Sequence, residues 1–159
     1  MKIYIASSWK NVHAVEMLTS LLREAGHEVI SWVENNYKEN YSVAKKIDFE
    51  HWVDTPDAEK SFIFDTDGAT KSDLMIYLAP SGKDAGAEVG AAWASKVPII
   101  GLFSKGEDFG LMRKMIYKWF DRHTQILDYI HSIKDMQKAT DPCTLCRDPF
   151  CRNNDCLPF

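Results

Sequence analysis

Residues 74–78, Leu74-Met75-Ile76-Tyr77-Leu78, form an apolar run with a single hydroxyl. A strand with no polar alternation has no face for water, so it belongs at the centre of a parallel sheet covered on both sides. Parallel neighbours need crossover helices, and the flanking sequence supplies them. Upstream, Ile3, Tyr4 and Ile5 make a short β-rich run. Val12, Val15, Leu18, Leu22 and Ala25 then recur at helical spacing up to Gly26, and a second strand is expected over His27–Trp32. Thr55-Pro56-Asp57-Ala58-Glu59 reads as a helix start running toward Asp65 and Asp67, with Gly68 loosening its end. Downstream, a helix is expected from Ala85 to Ser95, a strand over Val97–Leu102, and two helices near Phe109–Phe120 and His123–Met136.

The expected architecture is one α/β domain, a doubly wound, flavodoxin- or Rossmann-like, mostly parallel sheet flanked by helices over residues 1–138. A cysteine-rich tail follows over 139–159. No internal repeat and no second core are visible. Residues 33–54, with Asn35, Asn36, Tyr37, Asn40 and Tyr41, form a polar and aromatic connection in which Ala44, Ile47, Phe49 and Trp52 suggest an amphipathic helix.

Composition narrows the partners. With 159 residues and a formal net charge of −4, the chain lacks the basic face that duplex nucleic acid requires. No apolar run is long enough for a bilayer, and Met1–Ala6 is too soon interrupted to be a signal peptide. A cytoplasmic protein with reduced thiols is the expectation. A small anionic ligand stays compatible, since a few backbone N–H groups can hold one phosphate.

In open α/β sheets, ligands collect beyond the carboxyl ends of the strands, where strand order reverses. Three segments are candidates: Ala6–Asn11, Ala79–Glu88 and the loop after Leu102. The first offers Ser7, Ser8, Trp9, Lys10 and Asn11. The second combines Ser81, Gly82, Gly86 and Gly90 with Asp84 and Glu88. Glu88 stands among Ala85, Ala87, Val89, Ala91 and Ala92, near the start of a helix. Two readings stand side by side. An acid there complements the helix dipole, or a carboxylate held among small residues at a strand end serves as nucleophile or base. Tyr4 likewise reads as a core tyrosine or a site residue, and Asp65 and Asp67 as solvated acids or site residues.

Taken together, these segments resemble the nucleoside 2-deoxyribosyltransferase family and the related 2′-deoxynucleoside 5′-monophosphate N-hydrolases. Lys2-Ile3-Tyr4-Ile5-Ala6-Ser7-Ser8-Trp9 resembles the family's first strand and binding loop. Asp73-Leu74-Met75-Ile76-Tyr77 resembles its central strand, with Asp65 eight positions upstream. The glycine-rich segment ending in Ala87-Glu88-Val89-Gly90 resembles the motif of its nucleophilic glutamate. The similarity covers residues 1 to 103, and the loop before Glu88 is shorter than in the transferases.

The resemblance implies cleavage or exchange at an N-glycosidic bond of a nucleoside or nucleotide. It places Glu88, Asp65, Tyr4 and Asp84 in the catalytic set, with Ser7, Ser8, Trp9, Lys10, Asn11, Ser81, Gly82 and Gly86 binding substrate. No cofactor is required for that chemistry, and the family implies a homo-oligomer. A 5′-phosphate would fall to Ser7, Ser8, Lys10, Asn11 and Ser81; a solvated loop is the plain alternative. The competing functions are a nucleotide sensor without turnover, an NAD-cleaving enzyme, and a zinc-stabilised interaction protein. The last rests on Cys143, Cys146, Cys151 and Cys156, all four cysteines of the chain. Four such thiolates suit one structural zinc, a reduced free tail or disulfides.

Overall fold

The computed structural model describes residues 1–38, 49–107 and 110–136. Five strands form one sheet: β1 (Lys2–Ala6), β2 (Glu28–Ile30), β3 (Leu74–Leu78), β4 (Ile99–Leu102) and β5 (Lys118–Phe120), in the order β2-β1-β3-β4-β5. All four pairings are parallel, with Tyr4 opposite Ile30 on one side and Met75 on the other. This is the flavodoxin-like order, and its switch point lies between β1 and β3. β3 is buried along its whole length, as its apolar run requires.

Helices fill the connections: α1 (Val12–Glu24), α2 (Trp32–Lys38), α3 (Phe49–Trp52), α4 (Pro56–Lys71), α5 (Lys83–Ala94) and α6 (His123–Met136). The core gathers Ile3, Ile5, Leu22, Leu74, Ile76, Ile99 and Ile100 around the sheet. Each such side chain, fully buried, contributes about 1.5–3 kcal/mol. Asp73 pins the opposite, amino end of the strands: its Oδ2 accepts from the Lys2 amide at 2.6 Å.

Three expectations need correction. The second strand stops at Ile30, and Trp32 begins α2 instead. Its indole Nε1 donates to the Ile5 carbonyl at 2.9 Å, so the aromatic residue serves the core from a helix. The helix expected near Phe109–Phe120 is, over its described part, a 3-10 turn (Leu111–Met115) followed by β5. Trp119 packs there on Gly101 of β4, where an added Cβ would stand 2.6 Å from the indole ring. Finally, Gly68 does not end α4, which continues to Lys71. Ala44 and Ile47, and the four cysteines of the tail, lie outside the described residues.

Candidate active site

α4 begins as its sequence dictates. Thr55 Oγ1 accepts from the Ala58 amide at 3.2 Å, Pro56 opens the first turn, and Asp57 and Glu59 face the positive end of the dipole. Its buried stripe is Ala58, Ser61, Gly68 and Ala69. Asp65 falls on that stripe, four residues after Ser61 and three before Gly68. Asp67 points elsewhere and is ion-paired with Lys71 at 2.7 Å on the exposed side.

α5 repeats the pattern. Ala85, Val89 and Ala92 are its buried residues, and Glu88 lies three after Ala85 and four before Ala92. Each helix thus carries one acid on its apolar face. The two helices pack against each other and both against β1, which brings the acids to Tyr4.

Tyr4 is fully buried in β1. Its ring lies against Gly68, where an added Cβ would stand 2.5 Å from Cδ2 and 2.7 Å from Cε2. Glycine inside a helix costs about 0.5–1 kcal/mol relative to alanine. Here it makes room for the tyrosine.

The Tyr4 hydroxyl, Asp65 Oδ1 and Glu88 Oε2 are all withdrawn from solvent, and none has a hydrogen bond of full geometry among the described residues. They act on one another electrostatically. Burial pushes the Glu88 carboxyl up to about 8; the Asp65 charge adds to this, the Tyr4 hydroxyl opposes it, and Asp84 adds again. Burial likewise raises Asp65 to about 6, against the pull of Tyr4 and with a further push from Asp84. The Tyr4 phenol is itself held well above its ordinary value, by burial first and then by both carboxylates. Asp84 is exposed on the first turn of α5, four residues before Glu88. The structure therefore brings Tyr4, Asp65, Asp84 and Glu88 together.

The expected binding loops line the same carboxyl edge of the sheet, and several of their polar groups bond within the chain. Ser7 Oγ donates to the Leu78 carbonyl at 2.8 Å. Asn11 Nδ2 donates to Ser7 Oγ at 3.1 Å and to the Pro80 carbonyl at 2.6 Å. These bonds clamp the β1 loop to the β3 loop across the switch point. Ser8 Oγ caps the 3-10 turn Trp9–Asn11 by accepting from the Lys10 amide. Trp9 stacks edge-on against Trp32, with centroids 4.7 Å apart, and Lys10 is exposed. An added Cβ at Gly82, Gly86 or Gly90 would meet nothing within 4 Å among the described residues, so packing against those residues does not demand glycine there.

Sequence reasoning missed two residues. Tyr77 Oη donates to Glu107 Oε1 at 2.6 Å, the Ser81 amide donates to Glu107 Oε2 at 3.3 Å, and Ser81 Oγ donates to Tyr77 Oη. Burial and the Glu107 carboxylate raise the Tyr77 phenol to about 12. The loop after Leu102 was a candidate segment, but Glu107 carried no spacing signal of its own. A separate surface groove, lined by Gly110, Leu111, Arg113, Lys114, Ile116 and Trp119, contains none of these residues. No described helix is long and apolar enough to cross a membrane.

Comparison with solved structures finds the same architecture. A 2-deoxyribosyltransferase from the psychrotolerant bacterium Bacillus psychrosaccharolyticus superposes with a TM-score of 0.65 at 21% identity, covering 81% of this chain and 92% of its own. In fold, the chain resembles the nucleoside 2-deoxyribosyltransferases. The CMP N-glycosidase BcmB of Clostridium botulinum superposes with a TM-score of 0.51 at 17% identity, covering 82% of this chain and 99% of its own. No family model matches the chain, and no curated protein sequence matches it.

Proposed function

We propose that the protein is an enzyme that cleaves or exchanges the N-glycosidic bond of a nucleoside or nucleoside 5′-monophosphate, with Glu88 as nucleophile at C1′. The observation that carries this reading is the convergence of three buried, incompletely bonded oxygens, those of Tyr4, Asp65 and Glu88, beside the switch point of the sheet. An unsatisfied buried polar group costs about 1–3 kcal/mol. The likeness in fold to a deoxyribosyltransferase and an N-glycosidase supports the same reading.

Breaking the bond builds oxocarbenium-like positive charge at C1′. Glu88 is poorly stabilised as an anion, because burial raises its pKa to about 8. A cation developing against it therefore gains more than it would beside a solvated carboxylate. The leaving base needs a proton or a hydrogen bond, a role for Asp65, whose carboxyl is raised to about 6, with Asp84 as the other candidate. Between about pH 6 and about pH 8 the coupled pair Asp65–Glu88 holds one proton and one negative charge. That is the composition of an acid working beside a nucleophile, provided the substrate draws the charge onto Glu88. Tyr4, facing both carboxylates, orients Glu88 and favours its ionised form. Water resolves the glycosyl-enzyme in a hydrolase, and a second base does so in a transferase.

The test is release of free base from a panel of nucleosides and their 5′-monophosphates, in the presence and absence of an acceptor base. Wild-type protein is expected to release base, and Glu88→Ala to lose about 10³-fold or more of that rate. Base release that survives Glu88→Ala undiminished contradicts the assignment. The cytoplasmic location, the homo-oligomeric state and a zinc-bound tail remain proposals that stand on the sequence alone.

A further inference from the structure

The rim of the site carries a carboxylate that the family resemblance does not call for. Glu107, from the loop after β4, sits with both carboxylate oxygens on groups of the β3 loop: the Tyr77 hydroxyl at 2.6 Å and the Ser81 amide at 3.3 Å. Ser81 immediately precedes Gly82, the N-cap of α5. A negative ligand group at this loop would seek the Ser81 amide, and an anion of the protein's own already accepts from it. The Ser81 hydroxyl is turned to Tyr77, and Ser7 and Asn11 hold the two loops together. The cations nearest in sequence to these loops, Lys10, Lys83 and Lys105, are all exposed, so none is buried against the Glu107 carboxylate. On the side of the reacting carboxylates, Asp84 adds a further negative charge.

We infer that Glu107 is a specificity-determining residue that selects nucleosides with a free 5′-hydroxyl and rejects their 5′-monophosphates. This rests on the N-glycosidic reading above and sharpens it. Each carboxylate oxygen has two acceptor positions. Glu107 can therefore accept from a 5′-hydroxyl while keeping the bonds to Tyr77 and Ser81. A phosphate monoester, with about −1.5 to −2 charges at neutral pH, has no hydrogen to give the carboxylate when fully ionised and meets its charge instead. The negative ligand is repelled at the Ser81 amide, which would otherwise have drawn it in.

The experiment compares kcat/KM for a deoxynucleoside and its 5′-monophosphate, in wild-type protein and in Glu107→Gln. Wild type is expected to favour the nucleoside by about tenfold or more, chiefly through KM. In Glu107→Gln, which keeps the shape but not the charge, that ratio shrinks at least severalfold. Raising salt narrows the wild-type preference, because the discrimination is a charge effect that ions screen. This arm needs no variant, so the inference stays testable if Glu107→Gln folds poorly. Wild-type protein that processes the monophosphate as well as the nucleoside, or a preference untouched by both salt and Glu107→Gln, overturns the inference while leaving the glycosidic reading intact. Release of base from neither substrate overturns both.

Discussion

The floor of the site and its rim lie at the same edge of the sheet but treat their polar groups in opposite ways. On the floor, Tyr4, Asp65 and Glu88 bury oxygens that find no full hydrogen bond among the described residues. On the rim, Ser7, Asn11, Tyr77, Ser81 and Glu107 bond to one another or to backbone carbonyls and amides. A satisfied network fixes loops in place. An unsatisfied cluster in low dielectric stores electrostatic potential that a reacting cation can use. The contrast separates the part of the edge that holds geometry from the part to which the proposal assigns the chemistry.

Substitutions on the two sides should break activity and stability in different proportions. On the floor, Tyr4→Phe removes a buried hydroxyl without a full partner, so thermal unfolding should shift little or move slightly upward. Activity should nevertheless fall about tenfold or more, and the pH at which Glu88 ionises should rise, because the phenol lowers it now. A Tm drop of several degrees with activity retained would reverse the contrast. Gly68→Ala tests the shape of the floor instead: the new methyl meets the Tyr4 ring, and overpacking of this kind costs about 1–3 kcal/mol. Denaturant unfolding should show that loss, and base release should decline with it as Tyr4 is displaced.

Glu88→Gln reads the stored potential through stability. The folded protein holds the Glu88 proton up to about pH 8, whereas the unfolded chain releases it near its ordinary value of 4.5. The stability this proton contributes is therefore complete below about pH 4.5 and is lost as pH rises through about 8. The glutamine variant has no such loss. It should be more stable than wild type at pH 9, by up to about 5 kcal/mol, with the gap closing toward pH 5. On the rim, Asn11→Ala removes two hydrogen bonds and should cost about 1–2 kcal/mol. Its effect on turnover should be smaller than that of Tyr4→Phe.

Much of this was legible in the sequence because local chemistry and tertiary role agreed. The β3 run, the Thr55–Pro56 helix start and α6 appear as read, since burial, capping and periodicity each point one way. Glu88 was legible as an acid on an apolar helix face, and Asp65 becomes so once Ala58, Ser61 and Ala69 define the α4 stripe. Gly68 misled because a glycine that ends a helix and one that admits a neighbouring ring look alike in sequence. Trp32 and the segment at Leu111–Phe120 misled because aromatic residues suit strands and helices equally, and tertiary packing decided between them. Glu107 was invisible because its partners, Tyr77 and Ser81, lie 30 and 26 residues away.

The central claim is that Glu88 bonds to C1′ during turnover. Rapid acid quench of wild-type protein mixed with a deoxynucleoside, followed by intact-mass and peptide-level mass spectrometry, tests it directly. The expected result is a mass increase of one deoxyribosyl group, located on Glu88 and lost in Glu88→Ala. Base release with no adduct at any point of turnover, or an adduct that persists in Glu88→Ala, would contradict the account.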